Sequence, residues 1–495
     1  MSRRDLSLPS AAEADLLSGL FREARYNETS INDRIGVIHS ALERQSERMS
    51  RLESVPPNSL LNLLIRWFVL SEPVDGAVAE RFAGPEFVEI CLRRGLLEKA
   101  KERLVATILI IPQGDLLIGG DRYDTPVEIV GEPVLPVNAP ARSLLGFTVD
   151  GAVASLLDLC AGGGVQALAG ASRSRLVVAT DMNPRAVLFA ELNCRLNGLD
   201  NVECLHGDRF DPVAGRQFDQ IVCNPPFVIS PSKRFLYSDN DAALDDFCRG
   251  LVESAPAHLN EGGIFQMILE WVQIEGEDWK ERLGGWVEGS GCDVWILSFN
   301  LTLPETNARV HATTMAAQTP VDVLVLQEEM AAYLRDQHVE AVHGGFVMMR
   351  KRTEPNWLSF SEVRSELPEE LGSDWVVDGF RARDFLHGHP AEADLLAIRP
   401  TLRPGVTIDQ STEWDGAWRR QPVKLRTTRG LPFSLNLDDD VVEFVSRCTG
   451  EHSVSELCKR LQSKVQEPLA EVERECCLLV RRLIELGVLD PSAEA

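Results

Sequence analysis

Ile221-Val222-Cys223-Asn224-Pro225-Pro226-Phe227 closes the stretch, Leu156 to Phe227, on which the reading of this chain turns. The stretch is entered through Ser155-Leu156-Leu157, which runs into Asp158-Leu159-Cys160-Ala161-Gly162-Gly163-Gly164. This is an apolar strand that breaks into a glycine-rich turn ahead of the helix-compatible Val165-Gln166-Ala167-Leu168. Glycines at such a junction let the backbone approach a ligand closely, and the helix that follows offers free N–H groups to an anionic part of it. A second apolar run, Leu176 to Ala179, ends in Thr180-Asp181, an acid about twenty residues past the glycines, where open α/β sheets hold a ribose. A third, Val202 to Leu205, gives way to His206-Gly207-Asp208, and a fourth, Phe218 to Cys223, delivers Asn224. Four strands thus release four polar motifs at their carboxyl ends. In doubly wound sheets that edge is where ligands bind, near the point at which strand order reverses.

The four motifs together resemble the class I S-adenosylmethionine-dependent methyltransferases, and among them the small-domain group with an Asn-Pro-Pro-(Phe/Tyr) signature. That group includes release-factor glutamine methyltransferases and ribosomal-RNA guanine and adenine N-methyltransferases. The resemblance spans residues 140 to 350, less than half of the chain. It implies an α/β fold with a Rossmann-like, seven-stranded core ending on an antiparallel strand, and S-adenosylmethionine as cofactor. It also implies cofactor contacts from Asp158, Cys160, Ala161, Gly162, Gly164, Asp181, Met182, Asp208, Arg209 and Asn224. Asp158 would bond the methionine amine, Asp181 the ribose hydroxyls and Asp208 the adenine amine. The family pattern has glycine where Cys160 stands.

Asn224, Pro225, Pro226 and Phe227 are the expected catalytic residues. A planar amide or aromatic amine is a poor nucleophile because its nitrogen lone pair is delocalised. Two acceptors aimed at its N–H bonds, the Asn224 side-chain oxygen and the Pro225 carbonyl, can turn the lone pair toward a sulfonium and stabilise positive charge as it develops. Consecutive prolines stiffen the loop, and Phe227 offers a ring for a planar group to stack on. This chemistry requires no strong general base, so His206 and His258 read as turn or core residues. Asp158, Asp181 and Asp208 each have a plain alternative as a turn or helix-capping acid. The acids Asp239, Asp241, Asp245 and Asp246 suit a helix start, with a cation-binding rim as the other reading.

At 495 residues the chain is expected to hold two to four domains. Its N-terminus lacks the apolar core of a signal peptide and no apolar run reaches membrane-spanning length, so a cytoplasmic protein is expected. Eleven scattered cysteines without a Cys-x-x-Cys argue for neither disulfides nor a zinc site, and no metal is assigned. The formal charge is −25, and residues 141–350 alone carry 15 Lys and Arg against 28 Asp and Glu. Nucleic acid binding draws on neutralised phosphates, so this balance favours a protein or peptide partner over RNA.

Residues 1–57 read as a helical segment with helices over Ala11–Arg25 and Ser30–Leu52. Residues 58–134 read as winged-helix-like, three helices followed by a hairpin of Leu104–Ile111 and Leu116–Ile118. An extended linker, Leu135–Pro140, leads into the catalytic domain, 135–352. There a helix is expected over Ser238–Leu259, strands over Gly263–Trp271 and Val294–Phe299, a helix over Val321–Gln337, and a closing strand over Phe346–Arg350. Residues 353–495 form an α+β module that is β-rich over Pro400–Phe433. Its winged-helix-like tail, 437–492, has helices at Val441–Cys448, Val454–Ser463 and Val472–Leu486. The reading is an N-methyltransferase acting on a glutamine-like protein side chain. An RNA or DNA base methyltransferase (adenine N6 or guanine N2) and a non-catalytic scaffold that keeps the fold stand as alternatives.

Overall fold

Strands buried on both faces need continuous apolar runs, and those runs are where the central sheet forms. In the computed structural model the described residues are 5–36, 48–122, 132–231, 243–316, 321–353, 355–363, 374–428, 433–465 and 467–491, with the side chains of 48–50 and 316 left aside. The chain divides into two units. The first holds Met1–Leu145, Ala152–Asp293 and Leu301–Glu354; the second holds Gly146–Gly151, Val294–Asn300 and Pro355–Ala495.

In the central region of the first unit, β1 (Val153–Leu159) leads to α1 (Val165–Ala171), β2 (Ser174–Asp181), α2 (Pro184–Leu196), β3 (Val202–His206) and β4 (Phe218–Cys223). Then come α3 (Asp246–Ser254), β5 (Leu259–Ile274), α4 (Trp279–Val287), β6 (Cys292–Thr302), α5 (Pro304–Ala316), α6 (Val323–Asp336) and β7 (Val339–Lys351). Within the first unit the strand order is β3-β2-β1-β4-β5-β7, six of the seven strands expected, while β6 belongs mainly to the second unit. All neighbours are parallel except β5 and β7, which run antiparallel from Ile264↔Arg350 to Ile274↔Val339. The core is therefore α/β and Rossmann-like, and its order reverses between β1 and β4, where Leu159 is the register partner of Cys223.

Several elements differ from the sequence expectation. The helix expected over Ser238–Leu259 is α3 followed by a 3-10 turn at Ala255–His258; its start, with Asp239 and Asp241, lies outside the described residues. β5 and β7 are longer than expected because their apolar residues continue on a buried face to Ile274 and back to Val339. The expected strand over Val294–Phe299 is β6, whose Val294–Ser298 pairs in parallel with Leu358–Glu362 within the second unit. Helix α5 had no counterpart in the sequence reading.

Ahead of the core, helices Leu60–Phe68, Gly76–Ala83 and Pro85–Arg94 accompany a three-stranded sheet in the order Val74–Asp75, Arg103–Ala106, Leu97–Ala100. The single strand expected over Leu104–Ile111 breaks at buried Thr107, whose N–H donates to Leu96 and whose hydroxyl donates to the Gly95 carbonyl. From there a separate hairpin forms, Ile108–Gln113 with Leu116–Asp121. The helix expected over Ser30–Leu52 is interrupted after Ile35, where Gly36 takes a φ of 77°; residues 37–47 lie outside the described residues, and Arg48–Ser54 is helical again.

The hairpin's polar backbone is met by α2. Gly119 N–H donates to Asn193 Oδ1 at 2.7 Å and Leu117 N–H to Asn197 Oδ1 at 2.9 Å. Asn193 Nδ2 returns to the carbonyls of Gly119 and Gly163 at 3.1 and 2.8 Å. Buried Asp121 is held by Arg185 at 2.5 and 2.8 Å. Phe189, Leu192 and Leu196 of α2 share one apolar core with Leu63, Trp67, Phe87 and Ile110.

In the second unit Trp295, Phe147, Trp375 and Phe380 pack edge to face around helix Asp374–Gly388. Arg383 of that helix lies 3.6 Å over the Trp295 ring. The tail contains helices Asp439–Ser446, Val454–Gln462 and Leu469–Glu485 and a short strand, Leu489–Asp490, antiparallel to Thr401–Leu402. Among the described residues no helix is long and apolar enough to cross a membrane.

Candidate active site

The carboxyl ends of β1, β2 and β4, with the loop after β3, open on one cleft in the first unit. Of the residues singled out from the sequence, Asp158, Cys160, Ala161, Gly162, Asp181, Met182, Asp208, Arg209, Asn224 and Pro226 all line it. Gly164 is set back as the left-handed residue that starts α1. Pro225 and Phe227 are not part of this wall; Pro225 is buried and Phe227 half-buried.

The turn after β1 takes the shape its composition suggests. Cys160, Gly162 and Gly164 have φ of 58°, 54° and 79°. Cys160 thus holds a left-handed conformation that glycine adopts more easily, which accounts for the family's glycine there. Nothing lies within 4 Å of where a Gly162 side chain would start, so this backbone faces open space.

Asp158, 1% exposed, accepts the Ala167 N–H at 2.8 Å. Burial pushes its carboxyl up to about 7, aided by the Asp181 carboxylate and opposed by the N–H groups of Ala167 and Gln166. Asp181 accepts from Gly162 N–H and Asn183 N–H, both at 2.8 Å. Burial raises its pKa too, against those two bonds. The second bond is an Asx-type turn, and Asn183 in turn caps α2 by accepting the Arg185 N–H at 2.9 Å. The helix cap is therefore Asn183 and not Asp181, which lines the cleft beside it. Asp208 is 52% exposed at its side chain, 3.7 Å from Arg209, whose guanidinium sits 5.0 Å over the Phe247 ring.

The two histidines are structural. His206 Nε2 is 3.0 Å from the Met182 carbonyl, while His258 bonds the Arg216 carbonyl and stacks on Phe210. Asp245 forms a buried ion pair with Arg282 and accepts Val272 N–H at 3.0 Å, so it is no part of a cation-binding rim.

Sequence reasoning missed a whole wall of the cleft, Pro133–Asn138, of which Leu135–Asn138 fell in the expected linker Leu135–Pro140 and Pro133 and Val134 in the winged-helix-like segment 58–134. Asp121 fixes that segment by accepting Val134 N–H at 3.0 Å. It also missed Gln166, Thr180 and Phe247. Gln166 Oε1 and Thr180 Oγ1 are buried and have no hydrogen-bond partner among the described residues. Together with two carboxyl groups disfavoured by burial, they describe a cleft suited to a polar, partly cationic ligand with hydroxyl donors.

Residues 141–276 match the methyltransferase small domain family model, and residues 378–491 match a domain of unknown function, DUF7782. The release factor glutamine methyltransferase of Geobacter sulfurreducens is 32% identical over 135 residues, 25% of this chain and 45% of that protein. The ribosomal protein uL3 glutamine methyltransferase of Bradyrhizobium diazoefficiens is 30% identical over 167 residues, 30% of this chain and 52% of that protein. The chain thus spans about half the length of these curated relatives. A crystal structure of M. jannaschii TYW2 in complex with AdoMet is 16% identical, with a TM-score of 0.29 over 50% of this chain and 87% of its own.

Proposed function

We propose that this protein is an S-adenosylmethionine-dependent N-methyltransferase whose acceptor is a side-chain amide of a protein, of the glutamine type. The observation that carries the reading is the meeting of Asn224 and Pro226 with Asp158 and Asp181 in one cleft, at the point of strand-order reversal. The small-domain match supports the class, and the names of the glutamine methyltransferase relatives support the acceptor.

S-adenosylmethionine supplies an already activated methyl group on its sulfonium. Asp158 would pair with the methionine ammonium, which would favour the ionised carboxylate that burial alone opposes. Asp181, oriented by Gly162 and Asn183, keeps lone pairs for the ribose hydroxyls. Asp208 and Arg209, which line the cleft, would flank the adenine end, and Gln166 and Thr180 would offer acceptor oxygens. Asn224 and the Pro225 carbonyl would hold the acceptor N–H bonds so that the nitrogen lone pair faces the methyl, and Phe227 would stack on the planar amide. Positioning and fixed dipoles then supply the rate, without a general base. The winged-helix-like readings of 58–134 and 437–492 join this proposal as modules that recognise the acceptor.

The test is incubation of the protein with isotope-labelled S-adenosylmethionine and a cell extract, with the label sorted by mass spectrometry into protein, RNA and small molecules. Label on a glutamine of the protein fraction is the expected result. Label confined to RNA would replace the acceptor by a base, and no transfer to any fraction would leave a binding or scaffold protein.

A further inference from the structure

The carboxyl edge of β5 carries a second polar cluster that the cleft does not use. Glu270 lies three residues past Met267, the register partner of Cys223. At about 3.3 Å per residue this sets it roughly 10 Å along the strand beyond the level of Cys223. Its carboxylate accepts from Asn307 Nδ2 at 3.2 Å and bonds His311 Nε2 at 2.9 and 3.1 Å. Asn307 and His311 are one turn apart on α5. The Ala308 and Ala312 beside them pack in a small apolar core that also takes Val228, the residue after Phe227. The cluster therefore adjoins the Asn224–Phe227 loop. On α3, next to the cleft residue Phe247, the Cys248 thiol is pushed up by burial and then by Asp245, Cys160 and Glu270, which sets Glu270 within electrostatic reach of the same region.

The Asn307 NH2 donates to Glu270, so its Oδ1 is turned away from that carboxyl group. Asn307 is 3% exposed, and that oxygen has no hydrogen-bond partner among the described residues. A buried acceptor left without a donor is unfavourable, and such a group in a native protein calls for a physical reason. The oxygen is neutral and shielded from water. A neutral N–H donor fits it better than an ammonium or guanidinium, whose charge would have to be stripped of water to reach it.

We infer that Asn307, held by Glu270 and His311, is a subsite for a peptide N–H of the methyl acceptor, next to the side-chain amide presented to Asn224. The inference rests on the protein-amide reading above. It extends that reading from the reacting amide to the peptide group that carries it, so the site selects glutamine within a polypeptide over a free carboxamide.

Two probes isolate the contribution: N-acetylglutamine methylamide, with peptide groups on both sides, and butyramide, with the carboxamide alone. Labelled-methyl transfer gives kcat/KM for each, and the wild-type ratio should favour the methylamide. In Asn307→Leu that ratio should fall about fivefold to tenfold, the range of one lost hydrogen bond. Glu270→Gln should lower it as well, because the Asn307 amide can then turn over so that its Oδ1 accepts from the glutamine NH2 and no longer faces the substrate, and this near-isosteric change serves if the leucine variant melts early. An unchanged ratio in both variants, or an equal loss for both probes, would overturn the subsite while leaving the protein-amide reading in place. Failure of the wild type to label either amide would count against that reading itself, and the subsite would fall with it.

Discussion

At the scale of single residues, two carboxyl groups, buried Asp158 and half-buried Asp181, do the most to define the cleft. Removing Asp181, a charged acceptor that two backbone N–H groups orient, should cost about 1.5 to 3 kcal/mol of cofactor binding, roughly a tenfold to hundredfold loss. Titration calorimetry of Asp181→Ala against S-adenosylmethionine and its demethylated product checks this, and unchanged affinity would remove the residue from the site. Asp158 adds a pH signature. With its carboxyl raised from 3.8 to about 7 by burial, the folded protein keeps a proton that the unfolded chain has lost between about pH 4 and 7. The Asp158 contribution to stability therefore falls as pH rises through that window and levels off above it. Binding of a ligand ammonium follows the opposite course, strengthening as Asp158 ionises toward pH 8. Melting curves and cofactor titrations at pH 5.5 and 8 should show both trends in the wild type, and Asp158→Asn should flatten both. A variant with the wild-type pH dependence would show that another group titrates there.

At the scale of elements, the cleft depends on a hairpin that lies outside the βαβ pattern. A Cβ at Gly120 would stand 2.5 Å from the Pro136 nitrogen and 2.7 Å from its Cα, backbone contacts that no rotamer change can relieve. Gly120→Ala should therefore displace the Pro133–Asn138 wall, destabilise the protein by about 1–3 kcal/mol and weaken the cofactor in calorimetry. A variant with native melting temperature and affinity would show that this wall is dispensable. The same elements show what could be read from sequence. The ends of β1, β2, β3 and β4 were legible because each apolar run stops at an acid, a glycine turn or Asn-Pro-Pro, and local chemistry marks such stops. Pro133–Asn138 was not, because its role is fixed by Asp121 and by Asn193 and Arg185 of α2, contacts 13 to 74 residues apart. Helix α5 was missed because the buried hydrophobics among its described residues are only Ala308, Ala312 and Met315, beside buried Pro304 and Asn307, while Val310 is 54% exposed. That pattern carries little apolar periodicity.

At the scale of the whole molecule, the C-terminal region is built around residues far from it in sequence. Trp295 is 1% exposed within the second unit, and Gly379 approaches it so closely that a Cβ there would meet the ring at 2.3 Å. Truncation after residue 354 removes Trp375, Phe380 and Arg383 and strips cover from Trp295 and Phe147, so the shortened protein should melt earlier and aggregate; equal melting temperatures would show the second unit to be an independent appendage. The net charge of −25 sets a further expectation. Binding through six or more phosphates would fall about a thousandfold or more between 50 and 200 mM salt, and no such RNA binding is expected; a steep salt slope with micromolar affinity would favour the base-methylating alternative. The central claim, methyl transfer at a nitrogen held by Asn224, is tested most directly by labelled-methyl transfer into the protein fraction, measured beside cofactor affinity for the wild type, Asn224→Ala and Asn224→Asp. An oriented acceptor of this kind contributes roughly 2.7 to 4 kcal/mol to the transition state. Asn224→Ala should lose a hundredfold to a thousandfold in turnover with cofactor affinity nearly intact, and Asn224→Asp, which keeps an acceptor oxygen, should retain more. Turnover of Asn224→Ala at the wild-type rate would contradict the account, and joint loss of cofactor binding and activity would reduce the Asn-Pro-Pro turn to a structural one.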